Sequence, residues 1–193
     1  MSEQEAKLQS DYRKMIEVNG ELLKWEFYEN NELEEVSYFL RGNVNMASIF
    51  TEYPTLDYII FYKNEIVSGA FKKYDVETYN RSLELIEKRI QVFKDYIKEI
   101  YDSAINLVSN TPYFIIKTHL DYEKVVKYEF TYMPNGDFKY LAVFDINDYY
   151  HADNSSLFWD MIATGNNEFG FRWNGFEYYQ NASPILPTGG IPV

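Results

Sequence analysis

The sequence predicts an α+β fold: an antiparallel sheet packed against one long amphipathic helix, with shorter helices near both ends. Three observations carry that prediction. Runs rich in aromatic and β-branched residues, separated by polar turns, occur early and late in the chain. Between them, apolar residues recur at alternating spacings of four and three, the period of a helix face. No repeat, linker or composition break divides the 193 residues, so a single domain is expected over residues 1–183, followed by a flexible tail at 184–193.

Taken in order, the segment from Glu3 to Val18 has few apolar residues and reads as a modest surface helix ending at Asn19-Gly20. Leu22 to Leu40 is strand-like on both sides of the polar turn Glu29-Asn30-Asn31-Glu32, a β-hairpin. A second pair, DYIIFY and IVSGAF, is joined at Lys63-Asn64-Glu65, which gives four early antiparallel strands. Tyr79, Leu83, Ile86, Ile90, Phe93, Ile97, Ile100, Ala104 and Leu107 form the helical stripe, from an N-cap at Asp75 to about Ser109. Pro112 marks its far limit. YFIIKTHL reads as a strand, and KYEFTYMPNGDFKYLAVFDI as the best hairpin in the chain, with Pro134-Asn135-Gly136-Asp137 as its turn. NSSLFWDMIA has the character of a short helix capped by Asn154 or Ser155. Loops, with room for one strand, are expected beyond it.

Composition narrows the function classes. A hydrophobic fraction of 46% supports a proper core. Nineteen Tyr exceed what a core needs, because each buried hydroxyl requires a partner, so some rings are expected at a contact surface. The formal charge of −12 repels phosphate backbones and attracts basic proteins. Direct nucleic-acid binding is therefore not expected. The absence of cysteine excludes disulfides, zinc ribbons and thiol nucleophiles. The polar start MSEQEAKLQSDYRK and the lack of a long apolar run point to a cytoplasmic protein without a membrane span.

Chemistry-bearing patterns are sparse. Phosphate loops, the dinucleotide fingerprint, the nucleophile elbow and the paired-histidine zinc helix are all absent, so no enzyme and no cofactor is expected. The two histidines both stand in His-x-Asp pairs, His119 with Asp121 and His151 with Asp153. On strands each pair would share a face, and together they could hold a metal for hydrolysis. With acidic residues this abundant the pattern also arises by chance, so that site is an alternative only. The acidic stretch DINDYYHADNSSLFWD is the leading contact surface, with Asp145, Asp148 and Asp153 to pair with Arg or Lys and Tyr149 and Tyr150 as rigid apolar area. Glu26, Glu29, Glu32, Glu34 and Glu35 form a second acidic cluster beside the first hairpin turn, explicable as protection of an edge strand.

The order of early strands, a long helix, the hairpin and a late aromatic segment ending FEYYQNASPILP resembles the YezG-like immunity proteins of bacterial polymorphic toxins. The hairpin carries the likeness in Tyr128-Glu129-Phe130, Asn135-Gly136-Asp137, Phe138-Lys139 and Phe144-Asp145, within a span of about Leu56 to Pro187. Pro112-Tyr113 stands where the family tends to have Pro-Trp, and the first forty residues do not match. The resemblance implies an antitoxin that binds and occludes a toxin domain, often a nuclease, without catalysis. A phage-type acidic inhibitor or adaptor of a nucleic-acid-binding complex shares the same charge logic.

Overall fold

The computed structural model describes residues 11–42, 44–94, 98–123, 125–145, 158–160 and 173–187. Among them are eleven strands: β1 (Asp11–Val18), β2 (Glu21–Glu29), β3 (Glu32–Phe39), β4 (Tyr58–Ser68), β5 (Phe71–Asn80), β6 (Leu85–Lys94), β7 (Lys98–Ile105), β8 (Pro112–Asp121), β9 (Val126–Tyr132), β10 (Phe138–Asp145) and β11 (Phe158–Asp160). The helical content of the same residues is one short α-helix, α1 (Met46–Glu52), and a 3-10 turn at Glu177–Tyr179.

The α+β expectation is overturned: the long helix does not form. Its stretch is divided among β5, β6 and β7. The break after β5 is built by Asn80, whose Oδ1 accepts from the backbone N–H of Ser82 (2.9 Å) and Glu84 (3.0 Å). Leu83 takes a left-handed φ of 60° in that turn. Three members of the supposed stripe, Leu83, Ile86 and Leu107, are exposed. Consecutive residues are buried instead, Gln91 to Phe93 and Ile100 to Ile105. Strands covered on both faces lose the period of two, and their apolar residues can then mimic a helical spacing.

Other expectations also change. Asp11–Val18 is not helical but the first strand, and Asn19-Gly20, with φ of 54° and 76°, is its hairpin turn. Residues 3–10 of that expected helix lie outside the described residues. Lys63-Asn64-Glu65 does not separate two strands, because β4 runs through it to Ser68. The β3–β4 pairing is parallel, which requires the crossover that α1 supplies. Phe158–Asp160, the centre of the expected late helix, is a strand on β10, and the rest of that helix lies outside the described residues. Two hairpins fall where the sequence puts them, β2–β3 and β9–β10, as does β8.

By contacts the chain forms two units, Met1–Glu65 with Tyr74–Lys88, and Ile66–Lys73 with Arg89–Val193. In the first, α1 covers one sheet face by seating Ile49 and Phe50 on Val36, Tyr38, Ile59 and Phe61. The opposite face holds a chain of rings, with Trp25 edge-on to Phe39 (4.9 Å), Phe39 stacked on Tyr62 (4.5 Å) and Tyr62 edge-on to Tyr74 (5.6 Å). In the second, β7 to β11 are hydrogen-bonded in chain order. One face there carries Ile115, Tyr128, Phe130, Tyr132, Leu141 and Val143, packed under Tyr179 and Ala182.

Candidate partner-binding surface

In the first unit an acidic groove of about 800 Å³ lies between the β2–β3 hairpin tip and the α1–β4 loop. The tip follows from its two asparagines. Asn30 and Asn31 take φ of 50° and 65°, the paired left-handed geometry that turns two strands tightly. A bulge follows, since Phe27 pairs with Glu35 and Tyr28 with Leu33, leaving Glu34 as the extra residue. Bulges re-aim side chains and increase the local twist. Glu29, Glu32, Glu34 and Glu35 line one wall and Asp57 the other, over a floor that includes Phe27, Leu33, Leu56 and Tyr58.

The groove's ionisable lining is shaped by burial first. Burial pushes the Glu35 carboxyl up, and the negative Glu87 adds to the rise against the opposing pull of Arg13 and a hydrogen bond to Ser37. The Tyr58 hydroxyl is pushed up by burial and then by Glu35, Glu34 and Glu87. A negative field of this kind over apolar rings is suited to a Lys or Arg side chain, whose charge pairs with the wall while its stem covers the floor.

A second polar cluster lies under α1. The Lys24 ammonium donates to Glu52 at 2.9 Å and to the Tyr53 hydroxyl, and sits 3.2 Å from Glu26. Tyr53 donates to Glu26 at 2.8 Å, Tyr38 to Glu52 at 3.1 Å and Tyr28 to Glu26 at 3.1 Å. Burial alone would lower the Lys24 pKa, but Glu52 and Glu26 raise it further than burial depresses it. Burial and then Glu26 hold the Tyr53 hydroxyl up. Each group is thereby fixed in its ordinary charge state, lysine cationic and tyrosine neutral. The cluster braces α1 against β2 and offers neither a base nor a nucleophile.

In the second unit β8 alternates, placing Ile115, Lys117, His119 and Asp121 on the buried side and the more apolar Phe114, Ile116 and Leu120 on the half-buried one. The His119–Asp121 pair therefore does share a face, and both residues are buried. The imidazole sits among rings, 5.2 Å from Phe176, 5.8 Å from Tyr179 and 5.9 Å from Tyr128. Its expected metal partners His151 and Asp153 lie outside the described residues. No group of three or more His, Asp or Glu that could hold a metal occurs among the described residues. Of the leading contact residues, Asp145 ends β10 opposite Val126, while Asp148, Tyr149, Tyr150 and Asp153 lie outside the described residues.

The second acidic cluster divides. Glu29, Glu32, Glu34 and Glu35 belong to the groove, whereas Glu26 is buried in the brace under α1. Asp57 and Tyr58, which close the groove, were not legible as part of a surface: nothing in their spacing links them to a hairpin more than twenty residues earlier, and the parallel β3–β4 pairing is what brings them there. No family model, curated protein or solved structure matches this chain. No helix among the described residues is long and apolar enough to cross a membrane.

Proposed function

We propose that this protein is a non-catalytic inhibitor that binds a basic partner protein, and that the partner is a bacterial toxin domain, a nuclease being the class such a surface fits best. The observation that carries the reading is the acidic groove: Glu29, Glu32, Glu34, Glu35 and Asp57 line it beside Phe27, Leu33, Leu56 and Tyr58, with the Tyr58 hydroxyl pushed up by burial and then by Glu35, Glu34 and Glu87. A groove lined by carboxylates attracts a cationic side chain and pairs with it, so part of the binding energy is electrostatic complementarity. A nuclease presents a Lys- and Arg-rich track for its substrate, and an acidic protein of net charge −12 can occlude it. No cofactor enters this mechanism, and the setting is the cytoplasm. The long helix that entered the resemblance to YezG-like immunity proteins does not form, so support comes from charge, groove and hairpin. A phage-type acidic inhibitor would use the same groove on a different basic target.

The test is capture of the partner from the native cell at moderate salt, followed by assay of the captured protein's activity with and without this chain. Suppression of a nuclease-like activity by wild type, and at least tenfold weaker suppression by the triple variant Glu34→Gln, Glu35→Gln, Asp57→Asn, is the expected result. Full suppression by the triple variant removes the groove from the interface. A captured protein whose activity is unchanged by binding overturns the inhibitor reading.

A further inference from the structure

Among the buried groups that the proposed binding role does not use, Lys117 stands out. It lies in the middle of β8 with no side-chain exposure, and its amine meets three backbone carbonyls from one stretch of chain. Nζ donates to Tyr178 O at 2.6 Å, Asn181 O at 2.8 Å and Pro184 O at 3.0 Å. An ammonium has three N–H donors, and all three are spent on this segment. The Tyr178 ring also lies over Nζ, with 3.6 Å between Nζ and the ring centroid.

We propose that residues Trp173–Pro187 form a strap latched onto the second unit by Lys117, able to open while the sheet beneath it stays folded. The way the strap is attached is the reason. Its ties to the sheet are mostly side chain to backbone: besides the three from Lys117, the Tyr132 hydroxyl donates to Tyr179 O at 2.7 Å. Among the described residues, its backbone pairing with the sheet is one isolated bridge, Asp137 with Asn181, and the Ala182 N–H to Gly136 O bond at 3.0 Å. A strand in the sheet would instead be held by a ladder, and would open only with its neighbours. Inside the strap, the Tyr178 hydroxyl donates to Ile185 O at 2.6 Å, so the segment has a fold of its own to keep when it moves.

The seat under the strap is aromatic. Tyr179 stacks on Phe130 at 4.6 Å, and Phe176 packs against His119 and Tyr128. Opening therefore exposes a face on which a lysine and an imidazole stand among rings, a surface that is wholly covered while the latch is closed. Lys117 is the keystone because a single side chain spans Tyr178 to Pro184. Loss of its donors strands three buried carbonyls at once, whereas loss of any one ring contact removes only apolar area.

Amide hydrogen exchange on the full chain tests this. Burial pushes Lys117 down, to about 7, so exchange is read at pH 6, where the amine carries its three protons. In Lys117→Met, which keeps the length of the side chain, strap amides are expected to exchange at least tenfold faster while β9 and β10 amides keep their protection. Unchanged or slower exchange of the strap in that variant overturns the latch. Should Lys117→Met fail to fold, wild type at low urea decides. Strap amides that exchange with weaker urea dependence than β9 amides support independent opening, and a shared free energy and urea dependence overturns it.

Discussion

Glu99 illustrates how one side chain can set a pH dependence. Burial, and then the negative Asp102, push its carboxyl up to about 7 from an ordinary 4.5, against the attraction of Arg89 and Lys127. The folded chain thus holds a proton there between pH 4.5 and 7 that the unfolded chain releases. Stability from this group is present below pH 4.5 and lost as pH rises through 7, because the folded state is the one binding the extra proton. Glu99→Gln, neutral at every pH, is expected to be more stable than wild type at pH 8 by about 1–3 kcal/mol and indistinguishable from it near pH 4.5. Urea midpoints at the two pH values check this; an equal difference at both would mean that the effect is packing and not ionisation. Glu26 shows the opposite environment. Burial would raise its carboxyl, but hydrogen bonds from Tyr53, Lys24 and Tyr28 hold it below the ordinary value. Two glutamates of identical chemistry are separated by what surrounds them.

The turns and caps account for most of what the local sequence specifies. The β9–β10 hairpin closes at Gly136, whose φ of 93° favours glycine. A Cβ there would also lie 3.4 Å from Asn181 Oδ1 and 3.5 Å from Ala182 Cβ. Those are ordinary contact distances, so Gly136→Ala is expected to cost about 1–2 kcal/mol through backbone strain alone. A wild-type denaturation midpoint would show that the turn tolerates a side chain. At the other end of the chain, α1 depends on its cap, since Asn45 Oδ1 accepts from the Ala47 N–H at 3.1 Å. In a helix of 7 residues few interior hydrogen bonds stand behind the cap, so its loss weighs heavily. Asn45→Ala should lower stability by about 1 kcal/mol, readable as a shift in urea midpoint. No shift would mean that burial of Ile49 and Phe50 alone holds α1 in place.

For the molecule as a whole, charge is the property with the longest reach. A net −12 with a sequence pI near 4.6 predicts association with a basic partner that is fast at low salt and strongly screened. With the captured partner, the association rate is expected to fall roughly tenfold or more between about 20 mM and 500 mM salt, the dissociation rate changing much less. A rate independent of salt would show that apolar contacts dominate recognition and that the acidic surface serves solubility.

The hairpins β2–β3 and β9–β10 could be read directly because their determinants are contiguous: two asparagines or Asn-Gly-Asp at the turn, and alternating side chains on either side. Asn19-Gly20 was just as local a signal, but a sparse apolar pattern ahead of it favoured a helix end over a hairpin turn. The long helix misled for a different reason. Gln91, Val92 and Phe93 are all buried, as are six consecutive residues from Ile100 to Ile105, and burial on both faces erases the alternation that marks a strand. That coverage comes from segments distant in sequence, such as Tyr179 and Ala182 over the second unit, and local spacing carries no record of it. The candidate site divides along the same line. The glutamates beside the first turn and the overall charge are properties of the chain alone. Their conversion into a groove with Asp57 and Tyr58 required a parallel β3–β4 pairing, and the three carbonyls on Lys117 come from residues more than sixty positions away. Turns and charges are encoded by neighbours along the chain, whereas faces, grooves and latches depend on which distant segments come to cover them.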